Sequence, residues 1–390
     1  MDRKRKLLEE DIEQELLADS DSDAYNSDVS DDSDEGDSVS GEDSAANEAK
    51  EWVTKQRNYK GPFKFTGGRR GLIADKAPNI TSDSTPLEVF LLFFEVVISL
   101  LVQETNRYHL QFLAKQDEGP SPQIDVTFSV MMTFLAIVIQ MGHDIRDSLK
   151  DYWSRLEQFY TPFFGNTMPR DRFFHILRFL HFTDNENSPN RDDANYDRLW
   201  KIRSLFNIIN DNFAKFYRPS EHLAVDEIIV LFKGRVVFKQ YIPKKHKRFG
   251  IKIYKICDSY GYTLDMTVYL GKDRLKATKY ITATHATVKY LTRRLTRSGH
   301  KLMMDNFFCS PDLFDDLKKS KINCCGTVRP NRSGMPKEFQ NKKLKLKRGD
   351  IKLLLGGIDV IYGIIMAPKS PTPIARQVQS VPDTPDPVVP

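Results

Sequence analysis

The residues that could do chemistry lie between His222 and Asp305. The stretch HLAVDEIIVLFKGRVVFKQYIPKKHKRFGIKIYKICD (His222 to Asp258) opens with an apolar run holding Asp226-Glu227. Asp305 closes a second apolar strand, HKLMMDNFF. Carboxylates on neighbouring strand ends are hard oxygen ligands of the kind Mg2+ shares with phosphate and water. Two such ions about 4 Å apart activate a nucleophile and stabilise a leaving oxygen in phosphoryl transfer. An acid inside an apolar strand is costly unless ligated or paired, which argues for a ligand role for Asp226. For Asp305 a second role competes, capping the turn after its strand. Glu227 alternates to the face opposite Asp226. Asp258, at another strand end, is a candidate third acid.

Around these acids the chain is basic. Lys244, Lys245, Lys247 and Arg248 form a short run that suits phosphate contact, nuclear import, or a solvated loop. Lys233, Arg235, Lys239 and Lys252 are expected to continue the positive surface, positioning DNA without reading its sequence. Arg170, Arg172 and Arg178 lie off the apolar stripe of their helix and could also reach DNA.

The elements that must hold these residues divide at residue 221. Residues 1–50 carry 18 acidic against 5 basic side chains, a net of −13; the other 340 carry 53 basic against 35 acidic, a net of +18. The first stretch reads as a disordered acidic arm, too poor in apolar residues to offset its ordering entropy. The basic remainder suggests a polyanionic partner. Residues 51–85 read as a linker with a basic patch, Gly67-Gly-Arg-Arg-Gly. Residues 86–220 read as all-α: long apolar periodic runs begin at Leu87, Val126, Met168 and Arg198, and the stretch from Leu149 carries a surface-facing aromatic mix. The run Leu87 to Val102, interrupted by Glu88 and Glu95, is short for a bilayer span and reads as a buried core helix, so no membrane partner is expected. The start, MDRKRKLLEED, has no apolar signal core.

From residue 221 the period becomes two. Strands are expected at Leu223–Phe232, Gly250–Cys257 and Thr263–Leu270, a helix at Thr284–Arg297, a strand at His300–Met304, a helix at Pro311–Lys319 and a strand at Asn323–Val328. That order is the start of an RNase H-like fold, a meander followed by parallel crossovers. Residues 350–366 read as a hairpin around Gly356-Gly357, and 367–390 as a disordered Pro-rich tail. Cys257, Cys309, Cys324 and Cys325 form no CxxC pair and have no His at zinc spacing, so they read as core thiols.

At this point the chain resembles the piggyBac transposable element-derived proteins. The matching words are AVDEIIVLFKGR, KQYIPKKHKRFGIKIYKICDS, GYTLDMTVYLG, LMMDNFFCSPDLFDDL and CGTVRPNR, with LEVFLLFFEVVISLLVQETN and MPRDRFFHILRFLHF upstream, together covering roughly residues 85–350. The resemblance implies an α+β or α/β architecture: a helical DNA-binding and dimerisation domain (86–220), then an RNase H-like catalytic-type domain (221–366). It implies a homodimer and Mg2+- or Mn2+-dependent cut-and-paste chemistry at TTAA targets. The family's first two catalytic aspartates map onto Asp226 and Asp305. Its third lies in a GGVD-x-x-DQ motif. Here the similar string is Gly356-Gly-Ile-Asp359, followed by Val-Ile-Tyr-Gly and only 54 residues after Asp305. It fits a hairpin of the family's inserted β-region better, so the domain is expected to be incomplete at its C-terminus.

Three readings follow. The favoured one is a nuclear, transposase-derived DNA-binding protein without full cut-and-paste activity. The second is an active metal-dependent nuclease or transposase, its site completed by Asp258 or Asp359. The third is a non-catalytic chromatin or protein adaptor.

Overall fold

The computed structural model describes residues 61–116, 123–193, 196–243, 248–271, 281–295 and 297–340, with the backbone of strands at 52–53, 351–356 and 360–365. The acidic arm, the Pro-rich tail, Lys244, Lys245, Lys247 and Asp359 lie outside the described residues. The chain forms two compact units. One holds Ala74–Phe216 with Gly234–Val237; the other holds the residues before Ala74 from 61, Tyr217–Lys233, and the chain from Phe238 on.

The first unit is helical. Helix α1 (Pro86–Gln116) starts at a reciprocal cap: the Thr85 amide donates to Glu88 Oε2 at 2.6 Å, and the Glu88 amide donates to Thr85 Oγ1 at 3.2 Å. Its buried stripe runs Val97, Ile98, Leu101, Thr105 and His109, the spacing of one helical face. That face packs on α2 (Phe128–Met141), α4 (Arg170–Phe179) and α5 (Trp200–Phe216), with the short α3 (Pro162–Thr167) against α2. Asn106 fixes the entry to α2, accepting from the Val126 amide and donating to its carbonyl.

Two expectations change here. Helix α1 is not buried all round: Leu87, Val96 and Leu110 are more than half exposed, because its neighbours cover one side only. By length and composition alone, Pro86–Lys115 would suffice to cross a bilayer. The aromatic stretch from Leu149, read only as part of an all-α unit, is a 3-10 turn (Leu149–Trp153), a loop, and α3. Side chains hold that loop: Arg146 Nη2 donates to Thr161 Oγ1 at 2.6 Å, Nη1 to the Asp151 and Phe159 carbonyls, and Trp153 Nε1 to the Met168 carbonyl at 2.8 Å. Pro162 then starts a fresh helix, its missing amide proton harmless in a first turn.

The second unit is built on a mixed sheet. Short strands β1 (Trp52–Val53), β2 (Gly71–Leu72) and β3 (Tyr217–Arg218) precede β4 (His222–Leu231), β5 (Gln240–Tyr241), β6 (Phe249–Asp258) and β7 (Thr263–Val268). Then come α6 (Ala283–Thr292), β8 (Lys301–Met304), α7 (Pro311–Lys319), β9 (Asn323–Gly326), the short α8 (Lys337–Gln340), β10 (Ile351–Gly356) and β11 (Val360–Ile365). The central sheet has order β5-β6-β4-β8-β9, and β7 also pairs with β6. Strands β4, β6 and β7 run antiparallel in turn; β8 and β9 are parallel to β4. The main strands and helices fall where the sequence period placed them. Helix α6 is shorter than expected. Arg293 and Arg294 leave it to meet the buried Asp265 of β7 at 2.7 and 3.0 Å, and the Leu295 amide closes a turn onto the Thr292 carbonyl. The expected C-terminal hairpin is present as β10–β11, and β1, which the sequence left in a linker, adds a third strand to it.

One face of the central sheet is the core. Leu223, Val225, Tyr254, Ile256, Leu302 and Met304 pack with Val288 and Leu291 of α6 and Leu313, Phe314 and Leu317 of α7. The cysteine pair splits as strand alternation requires: Cys324 is half-buried and Cys325 exposed. Burial pushes the Cys309 and Cys324 thiols up to about 12, which keeps both protonated.

Candidate carboxylate site

The parallel pairing of β4 and β8 sets the site. Its register aligns Leu223 with Leu302, Ala224 with Met303 and Val225 with Met304. Val225 and Met304 point into the core. The residue after each, Asp226 within β4 and Asp305 just past the end of β8, is exposed. Alternation puts the Asp226 carboxylate on the sheet face away from the helices, and Asp305 leaves the end of β8 at the same level, on a strand spaced by about 4.8 Å from β4. Each uses one oxygen locally: Asp226 Oδ1 accepts from the Glu227 amide at 2.8 Å, and Asp305 Oδ1 from the Phe307 amide at 3.0 Å. The second is an Asx turn, the capping role the sequence had raised for Asp305. Glu227, as expected, alternates to the other face, in register with Tyr254.

Asp226 carries one premise that the structure changes. It is exposed rather than buried, so the cost of an acid in an apolar run does not arise there. The apolar residues on that face are open as well: Ile228, Val230 and Met303 are each more than a third exposed.

Asp258 does not join the pair. It is in register with Leu223, three residues before Asp226, and faces the core side. It is buried and accepts from Tyr217 Oη at 2.9 Å and from the Tyr260 and Tyr262 amides at 2.9 and 3.1 Å. These bonds give it the turn-stabilising role of a strand-end Asp.

Two residues near the acids were not singled out from sequence. Lys255 is in register with Asp226 on β6 and so shares its face, placing a cation on the side of Asp226 away from Asp305. Its signal was parity, readable only once the hairpin register is known. Arg332 donates through Nη2 to the Phe307 carbonyl at 2.6 Å, holding the loop that follows Asp305. It lies in the word CGTVRPNR, which gave no hint of that contact.

The expected basic surface divides. Lys233, Arg235 and Arg248 are exposed and Lys239 is half-buried. Arg235 belongs to the segment Gly234–Val237 grouped with the helical unit. Lys252 is a correction: it is only 6% exposed, with Nζ 4.6 Å from the Phe307 ring centroid and 5.1 Å from that of Tyr254. Even-numbered residues of β6 face the helices, so Lys252 lies on the core side with Tyr254 and Ile256 and cannot meet DNA as a surface cation. Among the described residues, no group of three or more His, Cys, Asp or Glu gathers to hold a metal ion.

A family model described as transposase IS4 matches residues 85–361. The human PiggyBac transposable element-derived protein 3 is 27% identical over 279 residues, 70% of this chain and 45% of that protein. The human PiggyBac transposable element-derived protein 2 is 28% identical over 278 residues, 69% of this chain and 44% of that protein. The chain thus spans less than half the length of these relatives. A cryo-EM structure of a piggyBac transposase synaptic complex with hairpin DNA matches at a TM-score of 0.61 and 26% identity, over 76% of this chain and 63% of that one. The mixed α/β fold is similar to that of piggyBac transposase. The length of the family match, with these relatives, shows that the chain belongs to the piggyBac-type transposase family.

Proposed function

We propose that the chain is a transposase-derived, nuclear DNA-binding protein that keeps the first two carboxylates of an RNase H-like site and lacks full cut-and-paste activity. The observation that carries this reading is the register of Val225 with Met304, which sets Asp226 beside Asp305. The RNase H-like assignment is supported by strand order: an antiparallel meander of β4, β6 and β7, then β8 and β9 parallel to β4 and entered through α6 and α7. DNA as the partner is supported by the hairpin DNA in the related synaptic complex and by the net charge of +18 outside the acidic arm. TTAA-containing ends and a homodimer are the family's expectations for that partner and that assembly.

Two adjacent exposed carboxylates suit one oxygen-preferring divalent ion, Mg2+ or Mn2+. Such an ion, when bound, would offset the negative charge of a phosphate held at the site. Asp226 and Asp305 would hold and orient it, and the loop fixed by Arg332 keeps Asp305 in place. Lys255 supplies a cation on the same face for a phosphate oxygen. Two-ion phosphoryl transfer needs a further anchor for the second ion, which these residues do not provide.

The test uses a supercoiled plasmid carrying TTAA-flanked ends, with Mg2+, for wild type and Asp226→Asn. The expected result is a gel shift at low salt and no nicking by either protein. Mg2+-dependent nicking lost in Asp226→Asn would overturn the inactivity and favour an active nuclease. A folded protein that shifts no DNA at low salt would favour an adaptor.

A further inference from the structure

The basic patch Gly67-Gly-Arg-Arg-Gly has no part in the carboxylate site, yet the fold gives it a fixed place. Residues 63–72 form a strap across the sheet end where β8 and β9 begin. The Phe63 amide donates to Asn323 Oδ1 at 2.8 Å, and Asn323 Nδ2 returns to the Phe63 carbonyl at 2.9 Å. The Thr66 amide donates to the Ser298 carbonyl at 2.8 Å, and Phe65 packs on His300 with ring centroids 4.9 Å apart. Gly71 and Leu72 then pair with Arg218 and Tyr217 as β2–β3.

These anchors use the strap's backbone and the Phe65 ring, not its cations; of the cations, Arg70 also hydrogen-bonds the Tyr217 side chain. Lys64, Arg69, Arg70 and Arg218 are all exposed. Arg70 stacks its guanidinium 3.2 Å from the centroid of Tyr260, itself 64% exposed. Arg218 lies against Gly68, where a Cβ would stand 2.6 Å from Nη1; the glycine makes room for the guanidinium. The acids of this end are engaged: Glu221 pairs with Lys301 at 2.8 Å, and Asp258 is buried under its three hydrogen bonds. Four cations stand on a pinned backbone, and Arg70, already stacked on a ring, loses little side-chain entropy on meeting a polyanion.

We propose that this strap, with Arg218, is a second DNA contact, taking the phosphate backbone of a duplex through Lys64, Arg69, Arg70 and Arg218. It rests on the DNA-binding reading above and adds a place and a mode to it. Strand β4 runs from the strap end at His222, past Leu223, to Asp226 about 13 Å along. A duplex held at the strap is therefore within one helical turn of the acid pair. Such contacts set position and orientation and carry no sequence preference.

The test measures the salt dependence of full-length protein binding to a short fluorescent duplex of mixed sequence, between about 50 and 200 mM salt. Removing one cation that meets a phosphate should lower the slope of log K against log salt by about 0.9. The Lys64→Gln, Arg69→Gln, Arg218→Gln variant is expected to be shallower by about 2 to 3, and Arg69→Gln alone by about 1, with unfolding midpoints at the wild-type value. Wild-type slopes in both variants, alongside a reduced slope in Lys233→Gln, Arg248→Gln, would overturn the strap contact and leave DNA binding intact. Absence of wild-type binding even at about 50 mM salt would overturn both together.

Discussion

Asp226 and Asp305 each stand one residue beyond a register pair, Val225 with Met304, on parallel neighbouring strands. Both therefore leave the core side of the sheet at the same level. Nearly 80 residues of chain separate them, and one register decision brings them together.

Metal binding should follow from that adjacency. Mn2+ or Mg2+ is expected to raise the melting temperature of wild type, and chelation should reverse the rise. In Asp226→Asn and in Asp305→Asn the increment should vanish. Without metal, each variant should stay within about 0.5 kcal/mol of wild type, since both groups are exposed. Thermal scans with and without metal read both effects. An undiminished increment in the double variant would place the ion elsewhere.

Lys252 and Arg248 should behave oppositely despite lying four residues apart. Lys252 is on the helix side under Phe307, whereas Arg248 is exposed ahead of β6. Lys252→Met should leave the salt slope of DNA binding unchanged. Arg248→Gln should reduce it by about 0.9 if it meets one phosphate. A reduced slope in Lys252→Met would contradict its burial.

In the helical unit, His109 and His175 meet edge to face with ring centroids 4.7 Å apart. Burial, then the charges of His109, Arg172 and Arg178, push the His175 pKa down to about 4; burial also lowers that of His109. A histidine with a lowered folded pKa binds fewer protons folded than unfolded. Its contribution is therefore steady above the unfolded value of 6.5 and declines as pH falls from there toward 4. Urea midpoints should drop between about pH 7 and pH 5, and His175→Gln should flatten that drop. An identical pH profile in the variant would rule His175 out as its source.

Gly299 has φ +76°, and a Cβ there would collide with the Lys64 carbonyl oxygen. Gly299→Ala should cost about 1–3 kcal/mol from backbone strain and loosen the strap. Urea unfolding gives the cost, and limited proteolysis within residues 63–72 reports the loosening. A variant as stable and as protected as wild type would show that the strap approach is not tight.

The sequence by itself determined the local elements and the chemical inventory. Alternation from Leu223 and from Gly250 marks strands, Thr85-Pro86 with Glu88 close behind marks a helix start, and Ser310-Pro311 opens α7, where the serine accepts from the Leu313 amide. These signals are legible because propensity, capping and period act within a few residues. The two acids, too, could be named from the words that surround them. Only the tertiary structure decided which face each residue took and what covered it. Lys252 and Lys255 sit in the same alternating string, yet pairing with β4 sends one under the helices and the other beside Asp226. Asp258 looked like a third ligand until the Tyr260 and Tyr262 amides folded back onto it. The strap at 63–72 read as linker because its partners, Ser298 and Asn323, lie more than 200 residues away. Register and long-range pairing depend on how distant segments close on one another, and no local pattern carries that information.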